Sequence, residues 1–386
     1  MRHFDVIVIG AGPAGAATAL SLRKNHPHLS VLLLEASDFQ MVRPGETLSL
    51  DAIPLLQQLE VFDFFLEQNH RSVSSQDGLG GGGPVAGADA GGWHLDRGRF
   101  DSMLAGYAAA SGAAFMRAML DRVQLDTSGL WQLSANAGAT NNVLSASFVV
   151  DASGRSARFA SEIGIAQTAH DTLVCLTRVI ELEHGGQTGK NCLIEAFEHG
   201  WWYCAPVGEK CLAVSIMTDA DISKRLQLPS MENWCRQLDV APQTRARIGQ
   251  SQPRGELSIR AAHTRNLASY AGSNWLAVGD AAASIDPLAS QGVLRALRFG
   301  LYAGNIVGEQ FGKRLPTGLQ DYAQLVQTEF DNNLMLRLED YRMEQRWAAS
   351  PFWMRRHAPQ SLPAHLAATG ARGSAATLDS ARFPQS

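Results

Sequence analysis

No Cys-x-x-Cys pair occurs in the chain, and its five cysteines, Cys175, Cys192, Cys204, Cys211 and Cys235, are odd in number and spread out. That pattern excludes a zinc framework and a disulfide scaffold, and it points to a reducing, cytoplasmic setting. No run of about 18 apolar residues is free of charge, so no membrane span is expected. Residues 6–20 are apolar, but Gly10, Gly12, Pro13 and Gly15 interrupt them and no basic stretch of any length precedes them. They therefore read as strand and turn rather than as a signal peptide. Charged residues make up only 18% of the chain, and the net charge of −4 is spread over both signs, which gives no basic field for nucleic acid or anionic lipid. Residues 43–100 contain no lysine at all. What is present is a hydrophobic fraction of 45% in 386 residues, enough for about two domains with buried cores.

Phe4 to Ile9 reads as a buried parallel strand, and Gly10-Ala-Gly12-Pro13-Ala14-Gly15 follows it directly. A small-residue helix and a second apolar strand, Val31 to Leu34, come next. Glu35 and Ala36 close that strand, twenty residues after Gly15, which completes a βαβ unit. Gly10 permits the tight turn, Gly12 lets the backbone approach a pyrophosphate, and Gly15 lets helix and strand pack closely. The helix start aims N–H groups at phosphates, and Glu35 accepts ribose hydroxyls while repelling a 2′-phosphate. These residues predict dinucleotide binding.

Further along, a helix is expected over Asp51 to Gln68. Residues 72–92, rich in Gly and Ser, read as a long loop, either a tolerated surface segment or a cover over a site. Short strands over Leu173–Leu182, Leu193–Phe197, Trp201–Pro206 and Leu212–Met217 predict an antiparallel sheet, with a helix near Ser230 to Leu238. A buried strand, Trp275 to Val278, leads back to the first domain. Helical regions are expected at Val293–Phe311 and Leu319–Trp347. The expected organisation is a discontinuous dinucleotide-binding domain (1–168 and 258–357), a β-rich substrate domain (169–257) and a poorly ordered tail (358–386).

Three later segments resemble elements of flavoproteins and favour FAD over NAD. Asp151-Ala-Ser-Gly154 resembles the turn that closes the adenosine site. Gly279-Asp280 follows a buried strand where a carboxylate can bond the ribityl chain. Trp93-His94-Leu-Asp-Arg97 resembles the helix start whose arginine lies against the diphosphate. Together with the first motif they resemble the aromatic-hydroxylase-like FAD enzymes, which implies an α/β fold: a Rossmann-type FAD-binding domain with an inserted antiparallel β-sheet and C-terminal helices.

Within that class, Gly200-Trp201-Trp202-Tyr203-Cys-Ala-Pro206 resembles the G-W-x-W-x-I-P signature of flavin-dependent halogenases. Asp286-Pro287-Leu-Ala-Ser-Gln291-Gly292-Val293 is similar to their flavin-contacting loop. Two departures argue against halogenation: their lysine after the Pro44-Gly-Glu46-Thr strap has no counterpart, and Ala289 stands where they carry a glutamate. A narrower resemblance adds Tyr341-Arg-Met-Glu344-Gln-Arg346-Trp347-x-x-Ser-Pro351-Phe-Trp353. It is to the flavoproteins that mature tryptophylquinone cofactors in partner oxidases. This implies a monooxygenase acting on a tryptophan of a quinone-enzyme precursor, with electrons from a separate flavin reductase or another donor. A small-molecule aromatic hydroxylase and a non-catalytic FAD-bearing assembly chaperone are the alternatives.

In the monooxygenase reading, backbone N–H groups at Gln291 and Gly292 stabilise negative charge on the flavin, and Trp201, Trp202 and Tyr203 line the substrate wall. Glu46, His94 and His199 are the visible options for a base. No metal is expected.

Overall fold

The computed structural model describes residues 2–40, 46–73, 91–183, 192–207, 210–253, 256–312, 318–358 and 366. The Gly-rich stretch 74–90 and the tail from 359 onward, Leu366 apart, lie outside them.

The first sheet has a parallel core in the order Trp275–Ala277, Thr140–Asp151, Arg2–Ile9, Val31–Glu35, Ala114–Arg117. Val6, Ile7 and Val8 are wholly buried, as strands covered on both faces require, and each such side chain contributes about 1.5–3 kcal/mol of apolar burial. Register aligns Ile9 with Leu34 on one side and with Asp151 on the other. The strands therefore end together, and Gly10, Glu35 and Ala152 meet along one carboxyl edge, where open α/β sheets bind ligands. An antiparallel pair, Met119–Leu125 and Trp131–Ala137, continues from Thr140–Asp151.

Two helices cross this sheet side by side. Pro13–Asn25 follows the glycine turn, and Gly292–Gln310 lies along it. Glycine makes the approach possible: a Cβ at Gly300 would sit 2.4 Å from the Ala14 carbonyl oxygen, and one at Gly304 2.5 Å from Ser21 Cβ. Contacts advance in step, Gly300 on Ala14, Gly304 on Ser21 and Gly308 on His26, so the two helices run parallel.

The second large sheet is antiparallel, in the order Leu193–Phe197, Gly200–Val207, Cys211–Asp219, Leu173–Glu181, Ser258–Ala261. One face packs on Trp234, Leu238 and Ile248. The other meets Leu288, Tyr341, Phe352 and Trp353. A small sheet, Glu46–Ser49, Gly92–Leu95 and Arg71–Val73, sets Thr47 opposite His94.

Two helical expectations need correction. The segment 51–68 is broken into Ala52–Gln58 and Phe62–Glu67, with Glu60 in the left-handed region at φ 60°. The last long helix, Gly318–Arg342, stops short of Trp347, because Glu344 turns its carboxylate onto the Arg346 backbone N–H and guanidinium. A separate short helix, Pro351–His357, then folds back.

Candidate active site

The glycine turn has a closed side and an open side. Gly10 adopts φ +101°, and a Cβ there would fall 2.3 Å from the Ala152 carbonyl oxygen; at Gly15 it would fall 1.9 Å from that of Gly10. At Gly12 a Cβ would have nothing within 4 Å. The helix that Pro13 opens has no side-chain cap, so its first N–H groups face this open side. Ala14 is buried behind it. Glu35 accepts hydrogen bonds from Ala11 N at 2.7 Å and Ser37 N at 2.7 Å, one on each oxygen. A carboxylate offers about four lone-pair positions, so two remain for hydroxyls. Ala36, just beyond, is exposed.

Gly279 brings the later segment to the same place: at φ +62° its Cβ position lies 2.8 Å from Ala14 Cβ. Asp280 is 3.5 Å from the Arg155 guanidinium, which also holds the His263 carbonyl oxygen at 2.8 Å. Asp151 is buried and accepts from Ser153 and from Ala160 N, so in the structure its carboxylate folds the turn through Gly154. Burial pushes its carboxyl up, against those hydrogen bonds.

After Asp286, Pro287–Ala289 forms a tight turn, Ser290 takes φ 50°, and Gln291 precedes the helix from Gly292. Gln291 and Gly292 are exposed, Val293 is buried, and a Cβ at Gly292 would have nothing within 4 Å. This helix too starts without a side-chain cap.

Arg97 is buried and held from two sides. Asp101 accepts two hydrogen bonds at 2.9 Å, and Glu46 Oε1 lies 2.6 Å from Nη1. Burial opposes its charge, but Glu46 and Asp101 outweigh it and hold the guanidinium well above its ordinary value. Asp96 caps the same helix through Arg99 N.

Strand alternation divides the aromatic run Trp201–Tyr203 between two faces of the sheet. Trp201 and Tyr203 share the face toward the C-terminal helices, whereas Trp202 points the other way and packs edge-on to Trp234 with ring centroids 5.0 Å apart. The expectation that Trp202 lines the wall is therefore corrected. The Trp201 indole N–H donates to Tyr341 Oη at 3.1 Å, and Tyr341 donates to Asp286 Oδ2 at 2.9 Å. Tyr203 Oη sits 3.0 Å from Cys192 Sγ, which lies 3.7 Å from His94 Nδ1 and 3.4 Å from Thr47 Oγ1. Burial pushes the Cys192 thiol and the Tyr203 phenol up, so both stay neutral.

Of the three candidate bases, His94 contacts this cluster directly, and Glu46, next to Thr47, lies near enough for its charge to help raise the Tyr203 phenol. Glu46 has an oxygen committed to Arg97. His199 lies in the turn after Phe197, at the other end of the hairpin from Cys192, roughly 15 Å away at the usual rise per residue. Burial lowers its ring from the ordinary value. Sequence reasoning missed Cys192, Thr47 and Tyr341. Strand pairing brings Cys192 beside Tyr203 and the docking of the small sheet brings Thr47 to them, and the motif around Tyr341 gave no hint of a hydroxyl role.

A family model described as tryptophan halogenase matches residues 83–386, and one described as lycopene cyclase protein matches residues 5–60. LodB of Marinomonas mediterranea, named as an FAD-dependent oxidoreductase, is 28% identical over 94% of this chain and 99% of its own length. The myxobacterial chondrochloren halogenase CndH, described as an FAD-dependent halogenase, shares the fold with a TM-score of 0.80 at 22% identity, over 92% of this chain and 86% of that one. QhpG, a peptidyl tryptophan dihydroxylase essential for tryptophylquinone cofactor biogenesis, shares it with a TM-score of 0.71 at 22% identity, over 92% and 79%.

FAD is the cofactor of this chain, LodB and CndH are described as FAD-dependent, and the residues fit it. The open side of Gly12, two uncapped helix starts and the spare lone pairs of Glu35 offer what a pyrophosphate, a flavin ring and a ribose require. No helix among the described residues is long and apolar enough to cross a membrane.

Proposed function

Because the chain belongs to the tryptophan halogenase family, we propose that it is an FAD-dependent monooxygenase that hydroxylates a tryptophan of a partner protein, the precursor of a quinone-cofactor oxidase or dehydrogenase. It is a flavin-dependent, halogenase-like oxidoreductase; the finer reading rests on the wall. Half-buried Tyr203 offers aromatic surface with the buried Trp201 on the same face of its strand, it adjoins the neutral Cys192, which in turn touches the His94 ring, and no lysine occurs in residues 43–100. Such a wall suits an indole, and none of these wall residues offers an oxidised halide an ammonium. QhpG, with its peptidyl tryptophan substrate, supports this use of the fold.

When bound and reduced, FAD supplies oxygen activation. One oxygen atom enters the indole and the other leaves as water, so each turnover consumes two electrons. These come from a separate flavin reductase or another donor, since no second Gly-x-Gly-x-x-Gly follows a strand. In this reading the helix start at Gln291 and Gly292 stabilises negative charge on the ring, and Arg97 supports the diphosphate side through its remaining N–H groups. His94 takes the indole proton, with Cys192 and Thr47 fixing its orientation. The segment 169–257, which carries all of the antiparallel sheet except the edge strand Ser258–Ala261, forms the substrate side, and the rest of the fold to 357 holds FAD.

Halogenases among the relatives keep a second reading in view, halide oxidation. One experiment separates the two. The candidate quinone enzyme is purified from cells with and without this gene, and its tryptophan-bearing peptide is weighed. Loss of oxygen mass in the deletion strain is the expected result. An unchanged peptide overturns the proposal, and a halogenated product from purified protein, reductase and bromide would establish the alternative.

A further inference from the structure

The aromatic segment from Tyr341 to Trp353 has no part in the reading above. We propose that Tyr341 is a positioning residue, a clamp that ties the Trp201 wall to the loop from Asp286 to Gly292 and so holds that loop in its flavin-binding shape. The inference rests on the reading that this loop contacts the flavin.

Tyr341 is the middle of an unbroken chain. Trp201 Nε1 donates to its oxygen at 3.1 Å, its hydroxyl donates to Asp286 Oδ2 at 2.9 Å, and Asp286 Oδ1 accepts from Leu288 N at 3.0 Å. The last bond shapes the turn that puts Ser290 at φ 50° and starts the helix at Gly292. All three side chains are buried, so an unmade bond here would find no water in its place. Burial pushes both the phenol of Tyr341 and the carboxyl of Asp286 up.

The ring itself is seated by the rest of the motif. Phe352 and Trp353 pack against it at centroid distances of 6.0 and 5.9 Å, and the Arg356 guanidinium stands 5.2 Å over it. Arg356 is fixed in turn by Asp219 at 2.7 Å, and His357 Nε2 contacts the Tyr341 carbonyl oxygen at 2.8 Å. Trp353 Nε1 donates to the Phe197 carbonyl oxygen at 2.9 Å, at the turn of the Trp201 hairpin. The C-terminal segment thus grips that hairpin at its turn and at Trp201 while delivering one hydroxyl to the flavin loop.

The test titrates FAD into the full-length apoprotein of the parent, Tyr341→Phe, Trp201→Phe, the double variant and Gly292→Ala, with thermal midpoints recorded alongside. Tyr341→Phe should raise the Kd for FAD about tenfold. Trp201→Phe, which keeps a ring but loses the N–H, should raise it less, and the double variant should match Tyr341→Phe alone. Equal FAD affinity in Tyr341→Phe and parent, or effects that simply add, would overturn the clamp. Gly292→Ala adds a methyl where no protein atom lies within 4 Å, so it reports the loop assignment separately. Unchanged FAD affinity there overturns the placing of the flavin, whereas a loss there without one in Tyr341→Phe overturns the clamp alone.

Discussion

The phenol oxygen of Tyr203 lies 3.0 Å from the sulfur of Cys192, and through that sulfur the antiparallel sheet touches Thr47 and His94 of the small sheet. Cys192→Ala removes the atom these groups share. It should cost about 1–3 kcal/mol in a urea denaturation experiment, the usual cost of stripping a buried polar group of a partner. Because burial pushes the thiol up, iodoacetamide at pH 8 should modify Cys192 far more slowly in native protein than in urea. Peptide mass mapping checks this, and equal rates would contradict a neutral, half-buried thiol.

Two glycines three residues apart should respond in opposite ways. Gly12→Ala places a methyl in open space at φ −68°, so stability should change by less than about 0.5 kcal/mol while FAD affinity falls tenfold or more. Gly15→Ala forces a methyl to within 1.9 Å of a carbonyl oxygen and should yield little folded protein. Calorimetry and flavin fluorescence distinguish the outcomes, and normal FAD binding by Gly12→Ala would exclude the phosphate from that side.

Arg97 serves two carboxylates that differ in exposure. Arg97→Met leaves the buried Asp101 without its guanidinium and should destabilise by about 3–5 kcal/mol. Glu46→Gln should cost only about 0–1 kcal/mol, since the Glu46 side chain is 41% exposed and screened by water. Because Arg97→Met removes both ion pairs, similar losses in both variants would mean that the Glu46 pair carries the whole effect.

Asp340 gives a pH signature. Burial, helped by Asp286 and Glu339, raises its carboxyl to about 6 from an ordinary 3.8. The folded state therefore holds a proton that the unfolded state releases, and stability falls as pH rises from about 4 to 6. Asp340→Asn removes that loss. Its thermal midpoint should exceed the parent's by about 2 °C at pH 7 and match it at pH 4. A difference independent of pH would assign the effect to packing instead.

How much of this was legible in the sequence depends on the range of the contacts. The turn Gly10–Gly15 and Glu35 belong to one local βαβ unit, whose spacing follows from chain geometry, and the parallel order around Arg2–Ile9 bears out the Rossmann-type expectation. The antiparallel sheet was legible too, from short alternating strands, although it also takes in Ser258–Ala261. Period-two alternation would have separated Trp201 from Trp202, had it been applied within the aromatic run. Cys192 and His94 are 98 residues apart, and their meeting depends on the docking of two sheets, which no local pattern encodes. The end of the last long helix was also hidden, because Glu344 competes for the backbone through its side chain.

The parallel helices Pro13–Asn25 and Gly292–Gln310 touch through glycine, with almost no side chain between their backbones. Gly300 sits level with Ala14, so the second helix reaches about 10 Å beyond the start of the first, seven residues at 1.5 Å each. In the proposed placing of FAD, the pair is a fixed gauge with two offset tips, one for each end of the extended dinucleotide. The protein, not the ligand, sets the span, and a single added methyl at Gly300 would put both tips out of calibration together.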